Sequence, residues 1–232
     1  MHRRKTKIVC TLGPATESVE GITSLIEAGM DVVRLNFSHG NREDHRQKIR
    51  RIREVSKSLG RQVGILQDLG GPKIRLGELP EEGINLEVGR RVDLGVVGNQ
   101  NAGIIPVNYP YLLEDVEVGE RILLADGVAE LEVEEIREDR LLCSVIIGGT
   151  VTSRKGVNLP QANLRVAALT EKDRIDLEGG LEEGVDCVAL SFVRHEDDLA
   201  PERERISQLE DPPMLIAKIE QPQAVERLQP IL

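Results

Sequence analysis

The chain has 232 residues, 40% hydrophobic and 30% charged, with a formal net charge of -10; it can bury a real core, and its acidity argues against a general nucleic-acid binder. Two Phe, two Tyr and no Trp leave little aromatic surface on which bases could stack, although local basic residues can still hold phosphates. No stretch approaches the ~18 uninterrupted apolar residues of a membrane helix, no signal-type apolar segment follows the basic start at residues 1–5, and Cys10, Cys143 and Cys187 lack metal-type spacing, so buried reduced thiols in a cytoplasmic protein are expected.

Residues 7–12 (KIVCTL) form a β-rich run closed by the turn signal Gly13-Pro14. Ser18 can cap a helix whose apolar positions are Val19, Ile22, Leu25 and Ile26, with Gly29 as its stop. Residues 31–40 (DVVRLNFSHG) read as a second strand running into a polar loop. A long charged helix over residues 42–59 follows, with Ile49, Ile52, Val55 and Leu59 inward and Gly60 after it. Residues 63–66 are a third strand, ending in Gln67-Asp68. Strand–helix–strand–helix–strand in about sixty residues implies parallel strands with helical crossovers.

From Gly70 the texture changes. No convincing helix is visible before about Gln161, while β-prone runs recur at 91–94, 121–124, 129–136 and 141–147. A small, mostly antiparallel β-domain inserted into the parallel layout is expected over 71–160, between barrel portions at 1–70 and 161–232. The first texture then returns. Thr170 with Asp173 forms a helix-starting capping pattern for residues 170–183. Residues 185–192 (VDCVALSF) are a strand, 196–209 a charged helix, 214–219 a fifth strand after the break at Pro212-Pro213, and 223–228 the opening of another helix.

The segment LIAKIE ends in Lys218 and Glu220, two residues apart, which a strand would place on one face. A strand-end ion pair explains them, and so does a bound metal–phosphate assembly. Polar residues also follow the other strands: Arg34, Asn36, Ser38 and His39 after the second, Asp68 and Lys73 after the third. In a parallel βα array the C-terminal strand ends share one face, where active sites assemble. The plain alternatives are a salt bridge for Arg34, local turns for Asn36 and Ser38, and a turn-fixing role for His39.

The ordered segments KIVCTLGPAT, AGMDVVRLNFSHG, DLGGPKIR, SRKGVNLP, ALSFV and IAKIE resemble pyruvate kinase over essentially the whole chain. The resemblance implies an α/β fold: a partial TIM (β/α)8 barrel of about five βα units with an all-β domain inserted after strand 3. It implies phosphoryl transfer from phosphoenolpyruvate to ADP, giving pyruvate and ATP in glycolysis, with Mg²⁺ or Mn²⁺. Lys218 matches the lysine at the migrating phosphoryl group and Arg34 the arginine that grips the substrate phosphate. Glu220 matches a Mg²⁺ ligand. Asn36, Arg75 and Lys155 match nucleotide-binding positions. Asn36, Ser38, Asp68 and Leu69, the last through its carbonyl, match the monovalent-cation site.

Two departures stand out. Lys73 occupies a position where many relatives carry glutamate and need K⁺; an ammonium near Asp68 can supply that charge, so K⁺ independence is expected. The barrel portion also falls short of the ~250 residues typical of eight βα units, and the ARGDLG-type strand with the second Mg²⁺ ligand does not occur. Little turnover by these 232 residues alone is therefore expected. Two readings stay open: a pyruvate kinase acting with further segments, as a homo-oligomer or beside a complementing C-terminal polypeptide, or a non-catalytic phosphate- or nucleotide-binding relative. Neither nucleic acid nor membrane is an expected partner.

Overall fold

The computed structural model describes residues 5–98, 103–162 and 164–232; residues 1–4 of the basic start lie outside them. Two compact units divide the chain, one of residues 1–72 and 167–232, the other of residues 73–166.

The first unit begins with β1 (Val9–Thr11) and α1 (Val19–Ala28). Ser18 caps α1 by accepting the Gly21 N–H at 3.0 Å, and Gly29, at φ 107°, ends it in the left-handed conformation that glycine adopts without a Cβ penalty. Ile22 and Ile26 face the core, whereas Val19 in the first turn is exposed, contrary to the inward position expected for it. β2 (Val32–Asn36) leads to α2 (Arg42–Ser58), which Asn41 and Asp44 start with a capping box and which buries Ile49, Ile52 and Val55. β3 (Gly64–Asp68) follows.

The second unit contains β4 (Ile84–Leu86), β5 (Arg91–Val96), β6 (Ile104–Val107), α3 (Leu112–Asp115), β7 (Arg121–Leu124), β8 (Ala129–Ile136), β9 (Leu141–Ile147), β10 (Gly149–Val151) and β11 (Val157–Asn158). Six strands form a sheet in the order β11-β7-β8-β9-β5-β6, and β10 pairs with β4. All pairs are antiparallel except β5 with β6. In β8, Ala129, Leu131 and Val133 point inward while Glu130, Glu132 and Glu134 alternate outward. The one-turn helix α3 departs from an all-β expectation; its Leu112 is fully buried in this unit's core. The unit extends to Val166 rather than 160 because Ala162, Leu164 and Val166 pack into that core.

Back in the first unit, Thr170 and Asp173 start α4 (Glu171–Glu182) with a capping box, and β12 (Cys187–Leu190) follows. The single helix expected at 196–209 is a 3-10 turn, Glu196–Asp198, then α5 (Ala200–Ser207) with proline in its first turn. β13 (Met214–Ala217), α6 (Pro222–Glu226) and α7 (Leu228–Ile231) complete the unit. Its five strands lie in the order β1-β2-β3-β12-β13, all parallel. Val33, Leu35 and Ile65 join Ile22, Ile26, Ile49 and Ile52 in one core. The alternation of β2 therefore turns Arg34 and Asn36 to the opposite face. Of the cysteines only Cys143 is buried; Cys10 and Cys187 are partly exposed free thiols.

Candidate functional site

Asp68 ends β3 with its carboxylate buried, and two cations converge on it. Arg34 of β2 donates from Nε to Asp68 Oδ2 at 2.7 Å and brings Nη2 to the same oxygen at 2.5 Å. Nη1 of Arg34 donates to Thr11 Oγ1 at 3.1 Å; Thr11 is the register partner of Arg34 across β1 and β2. Lys218 places Nζ 2.9 Å from Asp68 Oδ1, an ion pair lacking an aligned hydrogen bond, and 3.4 Å from Glu220 Oε1. Side-chain exposure is 35% for Arg34 and 26% for Lys218 but 4% for Asp68. The cations are reachable by an anion, and the carboxylate that holds them is not.

Lys218 and Glu220 lie just past the end of β13 rather than within it. β13 ends at Ala217, and only the Lys218 N–H, donating to Leu190 O at 3.0 Å, carries the ladder one residue further. Glu220 Oε2 accepts the N–H of Phe192 at 3.1 Å. Phe192 has φ 57°, a left-handed conformation that is strained for a bulky side chain.

The remaining strand-end residues are also gathered. Asn36 and Asp68 are register partners on β2 and β3. Asn36 Oδ1 accepts the Ser38 N–H at 3.1 Å, the local turn that is the plain reading of this pair. The Leu69 carbonyl accepts the buried Ser191 hydroxyl at 2.7 Å. His39 is exposed, and its carbonyl meets His45 Nε2 at 2.7 Å while the His45 ring stacks on Phe37 at 3.7 Å between centroids. Burial pushes His45 below the usual histidine value, and its Nε2 donates to that carbonyl.

Lys73, Arg75 and Lys155 belong to the second unit, whereas Asn36 belongs to the first. Within the second unit Arg75 and Lys155 are backbone neighbours: Arg75 bridges Gly156, and the Leu76 N–H donates to Lys155 O at 2.8 Å. The Arg75 guanidinium donates to Arg154 O at 3.0 Å, and the Lys155 and Lys73 side chains are exposed.

Among the described residues no group of three or more His, Cys, Asp or Glu side chains converges as a metal site. The acidic donors of the cluster are Glu220, which is exposed, and Asp68, whose oxygens face Arg34 and Lys218. Such a donor set suits an ion held by one carboxylate together with water and ligand oxygens, as Mg²⁺ often is beside phosphates. Several contributors escaped the sequence reading: Thr11, Ser191 and Phe192 hold site groups, and Asp173, read only as a helix cap, binds backbone next to Asp68. The register of β1 on β2 was the one signal that could have pointed to Thr11.

The family model described as pyruvate kinase, barrel domain, matches residues 3–232. The chain belongs to the pyruvate kinase family. It is 45% identical over 230 residues to a pyruvate kinase of Mycobacterium intracellulare, covering 99% of this chain and 49% of that protein. A pyruvate kinase of Bacillus licheniformis is 43% identical over 235 residues, and pyruvate kinase 2 of a Synechocystis species 44% over 234; each match covers 99% of this chain and 40% of the relative. The chain thus spans less than half the length of these relatives. The α/β fold of the first unit agrees with that family. No helix among the described residues is long and apolar enough to cross a membrane.

Proposed function

We propose that the chain provides the phosphoryl-transfer cradle of a pyruvate kinase-type reaction, phosphoenolpyruvate plus ADP to pyruvate plus ATP, in cytoplasmic glycolysis. The observation that carries this reading is the convergence of Arg34 and Lys218, from strands far apart in sequence, on the buried Asp68. In the proposed roles Arg34 grips the substrate phosphate with its planar fork and Lys218 faces the travelling phosphoryl oxygens, where positive charge stabilises the transition state more than covalent chemistry does. Glu220 offers a hard oxygen to Mg²⁺ or Mn²⁺. Such an ion supplies charge neutralisation at phosphate and enolate oxygens. Asn36, Arg75 and Lys155 are assigned to the nucleotide. The five-stranded sheet is read as an arc of a (β/α)8 barrel, with the second unit inserted after its third strand.

Asn36, Ser38, Asp68 and the Leu69 carbonyl form the proposed monovalent-cation locus. Asp68 already faces two cations of its own chain, and together with Lys73 this supports K⁺ independence. Calorimetric titration of phosphoenolpyruvate with Mg²⁺ into the 232-residue chain tests the cradle. Arg34→Met and Lys218→Met are each expected to weaken binding by about tenfold or more, the loss of a charge-assisted contact of ~1.5–3 kcal/mol. Unchanged affinity in both variants rejects the cradle. Replacing K⁺ by tetramethylammonium is expected to leave the affinity unchanged; a large gain on adding KCl rejects the Lys73 assignment.

A further inference from the structure

Asp173 has a second task that helix capping does not explain. Its carboxylate is buried, at 2% residue exposure, and both of its oxygens accept hydrogen bonds. Oδ2 serves the cap, accepting the Thr170 N–H at 3.0 Å and the Thr170 hydroxyl at 2.5 Å. Oδ1 reaches across more than a hundred residues of sequence and accepts the N–H groups of Gly70 and Gly71 at 2.9 and 3.3 Å. A helix start needs only the first oxygen. A buried carboxylate needs its remaining lone pairs satisfied, and here the peptide just beyond Asp68 satisfies them.

That peptide is held from several sides. The Leu69 N–H donates to Ala189 O at 3.0 Å, and the Leu69 carbonyl accepts Ser191 Oγ at 2.7 Å. Gly71 has φ 65°, and a Cβ there would lie 2.9 Å from the Phe192 ring; a Cβ on Gly70 would lie 3.1 Å from Ser38 Oγ. The neighbouring Lys172 donates to the Phe37 carbonyl at 2.8 Å, gripping the loop directly after Asn36. The first turn of α4 thus holds the backbones of both loops that follow the Arg34 and Asp68 strands.

We propose that Asp173 is a positioning residue: by fixing the Gly70–Gly71 peptides it sets the carboxylate of Asp68, and through it the Arg34 and Lys218 cations that receive a phosphate monoester. The inference rests on the cradle reading for its ligand but not for its geometry, so two readouts separate them. One is phosphoenolpyruvate affinity with Mg²⁺. The other, independent of ligand, is the Arg34 Nε–H resonance in ¹⁵N-labelled protein, which reports the bond to Asp68. Thr170→Val serves as the control, since it damages the cap and leaves the glycine contacts.

Asp173→Asn is expected to weaken phosphoenolpyruvate binding by about tenfold and to shift or broaden the Arg34 signal. Thr170→Val is expected to lower the melting temperature while leaving affinity and signal unchanged. Should Asp173→Asn fail to fold, Asp173→Ser, which keeps a hydroxyl in the first helical turn but lacks the second oxygen, carries the same expectation. An unchanged Arg34 signal in the Asp173 variants, or equal changes in Thr170→Val, overturns the proposal. Absence of binding by the wild-type chain rejects the cradle reading, and the Arg34 signal still decides the role of Asp173.

Discussion

The two units use the same charged residues to different ends. In the first, Arg34, Lys218, Asp68 and Glu220 come from three strand ends and meet around a carboxylate hidden from water. In the second, cations and carboxylates face each other along the solvated side of the sheet, as Arg121 does with Glu130 and Glu132 on the neighbouring strand, at 2.5 and 3.2 Å, and Arg91 of β5 with Glu134 of β8 at 2.7 Å. Parallel strands with helical crossovers deliver every C-terminal end to one side, so polar side chains accumulate there. An antiparallel meander alternates its ends, and its charges spread along an outer face. The difference separates an ion cluster built around a buried carboxylate from ion pairs spread over a solvated sheet face.

The largest effect is expected in the core of the second unit. Leu131→Ala should cost about 2–5 kcal/mol. Cys143, opposite Val133 in the same sheet and with its thiol pushed up to about 12 by burial, reports the opening. Alkylation of Cys143 at pH 8 should be slow in the wild type and much faster in the variant; fast labelling of both contradicts the buried core. Asp68→Ala should follow, at about 1–3 kcal/mol, because it leaves two cations side by side; their partial exposure keeps the loss below that of a fully buried pair. Urea unfolding of the variant measures it, and a neutral result would remove Asp68 as the hub.

Arg121→Ala should cost less than ~1 kcal/mol and lose even that in high salt, as exposed pairs do; a loss comparable to that at Asp68 would erase the contrast between the units. The smallest effect belongs to the exposed Glu196–Arg227 pair of the first unit. The Arg227 guanidinium holds the Glu196 carboxyl down to about 2. A lowered folded-state value means that the contribution is present above the ordinary carboxylate range and disappears as pH falls toward 2. Glu196→Gln should therefore flatten the stability profile over that acid window, lowering stability slightly at neutral pH and leaving it unchanged once pH falls to about 2; a pH profile identical to the wild type contradicts the pair.

Local pattern alone established much of the chain. Capping at Ser18 and at Thr170 with Asp173, the left-handed stop at Gly29, and the apolar spacing of α2 are interactions within a few residues, and each is legible without knowing the fold. The β-prone runs of β7, β8 and β9 were equally plain, whereas β4, β6, β10 and β11 were not: they span two to four residues, and β6 carries Pro106 at the sheet edge. Motifs marked Arg34, Asp68, Lys218 and Glu220 as chemically important, but their meeting on one carboxylate depends on strand order and register. Only the tertiary structure decided that Lys218 reaches Asp68, that Thr11 braces Arg34, and that Asp173 reaches Gly70 and Gly71, because each contact joins groups whose proximity is set by packing rather than by sequence spacing.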